Sequence, residues 1–248
     1  DGKLDDLLVA SDGPAPGTIY RARADRPVKG QGGMFLETPD GPAFLRQVKG
    51  LSAGADVLVQ VSGHAEPGKA IPVTNRVLFK SRYVIVTPGA PGLNISRSIR
   101  DEAVRDRLLE CAHDAMGASE HGLILRSVCA QAADDEIAED ISQMVALADQ
   151  VVNDTGAGPE TLVEGDGPHA LAWRDWTDPA EVVTTPGCFE THGAAEAIDA
   201  AALPRQDLPG GGHLMIEPTR ALVAVDVNTG ADVSLAAGLK ANLSCARA

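Results

Sequence analysis

The segment ALVAVDVNTG, residues 221–230, places an acid and an amide inside an otherwise apolar, strand-like run. Residues two apart in a strand share a face, so Asp226 and Asn228 point the same way, and the Thr-Gly pair that follows signals a turn. An ionised carboxylate is costly to bury unless it is paired or bound to a metal. The stretch therefore predicts half of a metal or phosphoryl-transfer site, and a solvated strand end is the alternative that it leaves open.

A second candidate pair, Arg126 and Ser127, ends the apolar run HGLIL, which is typical of a buried strand. An arginine followed by a hydroxyl residue suits a terminal phosphate, because the guanidinium offers a planar fork of donors and the hydroxyl adds one more. The pair alone does not distinguish a phosphate site from an ordinary strand end.

Two of the four phenylalanines, Phe35 and Phe44, fall in strand-like runs near Arg46 and Lys69. Proteins that bind single-stranded RNA without sequence preference stack bases on aromatic rings inside a basic groove. The alternative is that both rings lie in a core, as most phenylalanines in strands do. Glycine-rich, basic turns beside both rings keep the surface interpretation open.

The elements that must position these residues begin with short strand-like runs separated by Pro, Gly and Asp turns. These runs are GTIYRARADR, GGMFLE, PAFLRQV and ADVLVQVSG. Several short strands at this spacing predict a small β-barrel. Apolar residues at helical spacing then predict a helix over Asp101–Met116, with Gly117 as its stop, and an acidic amphipathic helix over residues 134–156.

Beyond residue 156 the pattern becomes α/β. The predicted elements are a strand in ETLVEGD, a strand or short helix in HALAWRDW, a strand in AEVVTTPG, a helix in GAAEAIDAAAL, and two strands joined at Pro218–Thr219. That hairpin brings Glu217 near the start of the strand that carries Asp226.

Charge is distributed unevenly along this 248-residue chain, whose net charge is −14 and whose hydrophobic content of 44% indicates a globular protein. Residues 17–107 hold 14 Lys and Arg against 8 Asp and Glu, whereas residues 108–248 hold 6 against 23. A basic segment in an acidic chain predicts a surface that attracts phosphate backbones. A basic patch without function is the alternative.

The four cysteines are scattered and form no C-x-x-C motif, which predicts reduced thiols rather than a zinc site or a disulfide framework. No window approaches the roughly 18 apolar residues of a membrane span, and the segment DGKLDDLLVA is not a signal peptide. We therefore expect a cytoplasmic protein without a membrane span.

Four segments occur in an order that resembles the ribonuclease E/G family, the bacterial endoribonucleases that process ribosomal RNA and tRNA precursors and start mRNA decay. GTIYRARADRPVKGQGGMFLE resembles the start of the family's S1 RNA-binding barrel, and GKAIPVTNRVLFKSRYVIVTPGAPGLNISRSI resembles its passage from barrel to sensor. HGLILRS resembles its 5′-phosphate sensor. GGHLMIEPTRALVAVDVNTG followed by NLSCARA resembles its catalytic strand pair and the next helix.

The resemblance implies a mixed α+β and α/β fold, in which an RNase H-like domain is interrupted by an S1 (OB-fold) β-barrel and a 5′-sensor subdomain. The implied boundaries are 1–16 for the first strand of the RNase H-like domain, which contains KLDDLLVA, 17–73 for the barrel, 74–155 for the sensor, and 156–248 for the incomplete remainder of the RNase H-like domain.

The resemblance also implies roles for the candidate residues. Asp226 matches the magnesium-binding aspartate, and Asn228 matches the amide that helps to orient the scissile phosphate or the attacking water. Arg126 and Ser127 match the ligands of a 5′-monophosphate, although the family more often has Thr at the second position. Phe35, Phe44 and Lys69 match RNA-contacting positions of the S1 domain. The implied cofactor is Mg²⁺, the implied partner is single-stranded RNA, and a homo-oligomer stays open.

Departures from the family pattern shape the expected activity. In the family, the second metal-binding aspartate and the paired-cysteine Zn²⁺ link between protomers lie downstream of the segment that the end of this chain, at Ala248, resembles. The segment Val163–Gly212 is also short for the family. One carboxylate seldom holds magnesium well in water. We therefore expect this chain to bind RNA better than it cuts it.

Three functional interpretations stay open. The first is a magnesium-dependent endoribonuclease of the ribonuclease E/G type, present here without its C-terminal portion. The second is an RNA-binding module whose catalytic half has decayed, which the short RNase H-like region and the overall acidity favour. The third is an interaction protein with an S1-like barrel and no RNA role, against which the basic segment argues. A reading frame that continues past Ala248 into a V-x-D-type strand distinguishes the first from the second.

Overall fold

The computed structural model describes residues 3–28, 32–46, 50–208, 211–231 and 234–247. The chain forms two compact units. Asp1–Leu7 and Ala180–Ala248 form the terminal unit, and Leu8–Pro179 form the inserted unit. The terminal unit is thus built from two stretches far apart in the sequence, and the inserted unit interrupts it in chain order.

A closed β-barrel opens the inserted unit. Its five strands are β1 (Ile19–Val28), β2 (Gly33–Thr38), β3 (Gly41–Leu45), β4 (Asp56–Val61) and β5 (Ile71–Thr74). β3 pairs with β5 in parallel, and β4 pairs antiparallel with both β5 and β1, so the sheet closes in the order β1–β2–β3–β5–β4–β1. This topology is consistent with an OB fold. The small β-barrel predicted from the short strands in this part of the chain is confirmed.

Alternation along the strands separates the barrel core from its outer surface. On β2, Met34 and Leu36 are buried inside the barrel, whereas Phe35 between them is only half-buried. Side chains alternate across a strand, so the inward register of Met34 and Leu36 forces Phe35 outward. The same rule places Phe44 outward on β3, between the buried Ala43 and Leu45.

A four-stranded sheet with two helices follows the barrel. Its elements are β6 (Phe79–Lys80), β7 (Val84–Thr87), β8 (Gly92–Ile95), α1 (Glu102–Met116), β9 (Gly122–Leu125) and α2 (Asp134–Val152). The strand order is β6–β7–β9–β8. The Asp101 carboxylate accepts hydrogen bonds from the Ala103 and Val104 amides at the start of α1, and the helix ends at Gly117 as predicted.

The helices pack their apolar stripes together, which confirms both helix predictions. Leu108 and Ala112 of α1 and Ile137, Ile141 and Ala148 of α2 are fully buried, together with Leu123 and Leu125 of β9. β9 therefore lies in the core formed by the four-stranded sheet and the two helices as far as Leu125. Its next residue, Arg126, emerges at the edge of that core, and Ser127 begins a 3-10 turn that ends at Ala130.

Two further elements keep the chain in the inserted unit beyond the predicted boundary at residue 156. β10 (Glu160–Val163) pairs antiparallel with β1 of the barrel, and α3 (Pro168–Asp175) packs near β6 and β9 through contacts of Arg82 and Arg126. The division between units therefore falls at residue 180. HALAWRDW, predicted as a strand or a short helix, is a helix.

A buried arginine links β10 to the barrel. The Arg21 guanidinium forms ion pairs with Asp154 and Glu160, and its Nε donates to the Gly158 carbonyl over 2.8 Å. The hydrogen bond from Arg21 holds the pKa of Asp154 below its usual value. Removing one partner of a buried ion pair leaves the other charge uncompensated, so this network is expected to fix β10 against β1.

This link predicts acid sensitivity. Because the pKa of Asp154 is lowered in the folded state, its stabilising contribution is present above the unfolded pKa of about 4 and is lost as pH falls through the lower folded pKa. We expect Asp154→Asn to lower the melting temperature near neutral pH and to flatten its decline below about pH 4. Thermal unfolding followed by circular dichroism measures this, with the exposed Asp178→Asn as control. Identical pH profiles for the variant and the unmutated protein would contradict the prediction.

The terminal unit holds three helices and a three-stranded antiparallel sheet in its described residues. Its elements are α4 (Cys188–Thr191), α5 (Ala194–Ala201), β11 (Arg205–Asp207), β12 (His213–Pro218), β13 (Val223–Asn228) and α6 (Leu235–Cys245). The strand order is β11–β12–β13. β12 and β13 form the hairpin predicted around Pro218–Thr219, closed by the Thr219 amide, which donates to the Leu222 carbonyl over 2.8 Å.

Two strand predictions are wrong. Residues 180–187, all of them described, form no strand, and Val182 in AEVVTTPG is 81% exposed. Residues 3–10, which contain the predicted first strand KLDDLLVA, hold no regular secondary structure either, and Val9 is exposed. A strand requires a hydrogen-bonding neighbour, and local apolar character does not supply one.

Two of the predictions made from composition concern the state of the cysteine thiols and the presence of a membrane-spanning segment. All four cysteines, each within the described ranges, are free thiols, and burial raises the pKa of the Cys129 thiol to about 11. Within the part of the chain that the structure describes, no helix combines the length and the apolar character needed to cross a bilayer.

Candidate functional site

Phe35 and Phe44 form an aromatic pair on the outer surface of the barrel. They lie directly opposite each other on β2 and β3, with ring centroids 5.3 Å apart and ring planes inclined by 54°. Neither ring belongs to the buried core of the barrel, so the alternative that both fill that core is wrong. A pair of half-exposed rings on neighbouring strands provides a surface on which planar groups can stack.

Gly33 allows this arrangement. The Phe44 ring crosses β2 over Gly33, so closely that a Cβ at this position would collide with the ring. The Arg26 guanidinium carbon lies 5.5 Å from the centroid of the Phe35 ring. The backbone at Gly33 thus packs against the Phe44 ring, and the cation at Arg26 packs against the Phe35 ring.

The aromatic pair lies in a broad groove whose charged rim is basic. The lining cations are Arg23, Arg26, Arg46, Lys69 and Arg76, against the acids Asp25, Glu37 and Glu66. Lys69 is exposed, and its ammonium lies 2.5 Å from the Glu66 carboxylate. Exposed ion pairs of this kind are worth little, so a phosphate can compete for Lys69. The structure therefore brings the three residues predicted to contact RNA into one groove.

Arg126 and Ser127 lie together at the end of β9, as predicted, but Arg126 already has protein partners. Its Nη1 donates to the Ser81 carbonyl over 2.6 Å and to the Arg174 carbonyl over 3.1 Å. Its Nη2 lies 2.7 Å from the Asp175 carboxylate. Ser127 is exposed at the first residue of the 3-10 turn.

The sequence interpretation missed the contribution of α3 to this region. Arg174 and Arg126 together hold the pKa of Asp175 below its usual value, the Arg174 hydrogen bond being the larger cause. The Arg82 guanidinium stacks over the Trp173 ring at 4.2 Å from the centroid and also donates to the Trp173 carbonyl. The Arg-Asp pair beside a tryptophan in HALAWRDW was the sequence signal that could have indicated this contribution. Its partner Arg126 lies more than 45 residues away, so the local sequence does not reveal the contact.

Asp226 and Asn228 share one face of β13, as their spacing predicts, and both are exposed. Their direct neighbours on β12 are Met215 and His213 respectively, and Glu217 lies opposite Ala224 on the same face. Asp226 and Glu217 are consequently diagonal neighbours, with Cα atoms about 7–8 Å apart by sheet geometry. This face is polar, while the opposite face carries Leu214, Ile216 and the valines of β13.

Gly212 fixes the end of β13 that carries Asn228. A Cβ at Gly212 would come within 2.5 Å of the Asn228 carbonyl oxygen, so only glycine permits the observed approach of the chain before β12 to the end of β13. Asn228 is thereby held at a defined point of the hairpin, next to His213.

Some of the oxygen atoms on the face of the hairpin that carries Asp226 and Asn228 are suitable ligands for a hard cation. Carboxylate and amide oxygens are ligands that Mg²⁺ accepts, and Mg²⁺ commonly binds through one or two carboxylates while it keeps several waters. Asp226 supplies such a carboxylate, and Glu217 is the nearest acid on the same face of the hairpin. Within the described ranges, no group of three or more His, Cys, Asp and Glu side chains stands close enough together to hold a metal ion.

Comparison of the sequence with models of known protein families shows which family the chain belongs to. A family model described as "Ribonuclease E/G family" matches residues 79–184 and 175–247, which together make up more than half of the chain. The chain belongs to the ribonuclease E/G family. The predicted resemblance is confirmed, and the matched residues include Arg126 with Ser127 and Asp226 with Asn228. The barrel of this ribonuclease E/G family member precedes the matched part.

Individual relatives share about a quarter of their residues with this ribonuclease E/G family member. It is 25% identical to Ribonuclease E of Synechocystis sp. over an aligned length of 285, which covers 92% of this chain and 42% of the relative. It is 24% identical to Ribonuclease G of Escherichia coli over an aligned length of 275, which covers 88% of this chain and 56% of the relative. The chain thus spans about half the length of the curated relatives it matches.

Proposed function

We propose that the chain acts on single-stranded RNA as part of a metal-dependent endoribonuclease of the ribonuclease E/G type. The observation that carries this proposal is the Phe35–Phe44 pair in a basic groove of a member of that family. The names of the relatives, Ribonuclease E and Ribonuclease G, support RNA as the substrate. RNA processing and decay are the corresponding biological roles.

RNA binding begins at the barrel groove. Bases stack on Phe35 and Phe44, and phosphates lie along the basic rim, including Lys69, where they compete with Glu66. Neither contact reads a particular base, because every base has a π-face and every nucleotide has a phosphate. We therefore expect binding that depends strongly on salt and little on sequence.

The end of β9 is the proposed site for the 5′-monophosphate of the RNA. Arg126 offers a planar fork of donors, and the exposed Ser127 hydroxyl adds another. In this proposal the four-stranded sheet with α1 and α2 is the 5′-sensor subdomain. A terminal phosphate carries about −1.5 to −2 charges near neutral pH, against −1 for an internal phosphodiester, so a cation at this point favours RNA with a phosphorylated 5′ end.

The polar face of the β12–β13 hairpin is the proposed catalytic face. The terminal unit, built from two stretches that flank the inserted unit in sequence, corresponds in this proposal to the RNase H-like domain. Asp226 is the carboxylate that would hold Mg²⁺, and Asn228 orients the scissile phosphate or the attacking water through its amide. When bound, the cation neutralises charge on the phosphate and lowers the pKa of water.

A second candidate function, RNA binding without cleavage, is favoured by one observation. Asp226 is exposed, and the described residues place no cluster of three potential metal ligands around it. The two functions share the groove and the Arg126 site, so binding experiments support either one. Magnesium-dependent cleavage that requires Asp226 distinguishes the first from the second.

Alanine at Phe35 is expected to weaken binding of single-stranded RNA by about 1–3 kcal/mol, because the substitution removes one stacking platform. Fluorescence anisotropy with an unstructured RNA oligomer at several salt concentrations measures the effect. Phe189→Ala, which removes an exposed phenylalanine on α4, serves as control and should leave the affinity unchanged. An unchanged affinity for a folded Phe35→Ala variant would remove the groove from the proposal.

A further inference from the structure

The Arg126 guanidinium is covered by α3. Besides the Ser81 carbonyl, it contacts two groups of that helix, the Arg174 carbonyl at 3.1 Å and the Asp175 carboxylate at 2.7 Å. The Asp175 carboxylate thus holds Arg126 through the same type of charge-assisted contact that a phosphate oxygen would make. A phosphate oxygen that takes the place of the Asp175 oxygen beside Nη2 of Arg126 must displace Asp175.

Asp175 has a second cationic partner that remains when the first is lost. Arg174 Nη2 lies 2.8 Å from Oδ2 of Asp175, and Arg174 Nε lies 3.1 Å from Oδ1. A carboxylate that gives up Arg126 therefore keeps two hydrogen bonds to Arg174. Because the displaced Asp175 carboxylate stays paired with Arg174, the free-energy cost of its release from Arg126 is lower.

The helix that carries Asp175 is held by polar and cation–π contacts rather than by a core. None of the eight residues of α3, all of them described, is fully buried. Trp173, which stacks against Arg82, is still 68% exposed. A helix held in this way can shift locally at a small free-energy cost, because little apolar surface is uncovered.

We propose that Asp175 is a built-in competitor for the RNA 5′-phosphate at Arg126, and that it weakens the binding of phosphorylated RNA ends at this site. The inference rests on the proposed phosphate-binding role of Arg126. A 5′-monophosphate brings about −1.5 to −2 charges and three acceptor oxygens, so it can displace a single carboxylate. A 5′-hydroxyl brings no charge, so it leaves Asp175 on Arg126.

Removal of the carboxylate is expected to raise affinity only for phosphorylated ends. Asp175→Asn keeps the size of the side chain but loses the ion pair, and we expect about two- to five-fold tighter binding of 5′-monophosphorylated RNA, with no change for 5′-hydroxyl RNA. Arg174→Gln removes the alternative partner of Asp175 and is expected to act in the opposite direction, weakening binding of the phosphorylated RNA.

A matched control lies two residues before the first residue of α3. Asp166 forms an ion pair with Arg174 at 2.7 Å, and its side chain is 39% exposed, close to the 42% of Asp175. Asp166→Asn therefore breaks an ion pair of similar exposure without touching Arg126. It should leave the affinity ratio of phosphorylated to unphosphorylated RNA unchanged.

The experiment measures binding of two RNA oligomers of the same sequence, one with a 5′-monophosphate and one with a 5′-hydroxyl, to the whole chain and its variants. Circular dichroism melting verifies that each variant folds. The proposal predicts a larger affinity ratio for Asp175→Asn, a smaller one for Arg174→Gln, and no effect of Asp175→Asn when Arg126→Leu is also present.

The experiment distinguishes failure of the competitor role of Asp175 from failure of the phosphate site at Arg126. If the unmutated protein prefers 5′-monophosphorylated RNA and loses that preference with Arg126→Leu, but Asp175→Asn leaves the ratio unchanged or smaller, the competitor role is overturned and the phosphate site stands. If neither the unmutated protein nor Asp175→Asn distinguishes the two RNAs, both are overturned. A preference that emerges only in Asp175→Asn supports the competitor role.

Discussion

Asparagine in place of Asp226 is expected to reduce any magnesium-dependent cleavage of single-stranded RNA by roughly a hundredfold or more and to leave RNA affinity almost unchanged. The amide keeps the size of the side chain but lacks the negative charge that a divalent cation requires. RNA affinity is expected to persist because the aromatic groove and Arg126 belong to the inserted unit, whereas Asp226 belongs to the terminal unit.

Two measurements check this expectation. Cleavage of a 5′-monophosphorylated RNA is followed over a magnesium titration, with Asp199→Asn, an exposed acid on α5, as the control variant. Independently of the cleavage rate, Mn²⁺ should broaden the NMR signals of the Asp226 and Asn228 amides in the unmutated chain and not in Asp226→Asn. Cleavage and broadening that both survive the substitution would place the chemistry elsewhere.

Leucine in place of Arg126 is expected to abolish any preference for RNA with a 5′-monophosphate. Hydrogen bonds to a charged group are worth about 1.5–3 kcal/mol, so affinity for phosphorylated RNA should fall by about tenfold or more, to the level of 5′-hydroxyl RNA. Binding of internal RNA segments depends on the barrel groove and should be retained. Arg126→Lys keeps the charge but loses the planar fork, so it should retain only part of the preference.

Controls must separate phosphate binding from folding, because Arg126 also donates to the Ser81 and Arg174 carbonyls. Melting temperatures of each variant detect a loss of structure. Arg220→Leu removes one positive charge from the β12–β13 turn and tests whether overall charge alone explains the effect. Equal binding of both RNA forms by the unmutated protein and by Asp175→Asn would argue against a phosphate site at Arg126.

Much of the fold follows from local patterns in the sequence. Alternation around Phe35 specifies which side chains enter the barrel, because the side-chain period of a strand leaves no other register that buries Met34 and Leu36. The Asp101 cap and Gly117 define the bounds of α1 through local backbone geometry. The Asp226–Asn228 spacing correctly predicts a shared face because it depends only on the strand being formed.

Features that depend on distant partners could not be predicted in this way. The contact of Asp175 with Arg126 joins two elements 49 residues apart, and nothing in either local sequence specifies the other. The attachment of the segment after residue 156 could not be predicted for the same reason, since the pairing of β10 with β1 and the Arg21 network hold it to the barrel. The apolar residues Val9 and Val182 predicted strands, but a strand forms only where a neighbour accepts its hydrogen bonds.

Photo-cross-linking of 5′-monophosphorylated single-stranded RNA that contains 4-thiouridine, followed by mass spectrometry of the cross-linked peptides, tests most directly whether RNA occupies the proposed groove. Cross-links are expected in β2 and β3, at or beside Phe35 and Phe44, and the β2 cross-links are expected to be lost in Phe35→Ala. With the photoreactive base at the 5′ end, cross-links are expected near Arg126. Cross-links confined to the terminal unit, or to the outer face of α2, would contradict the account.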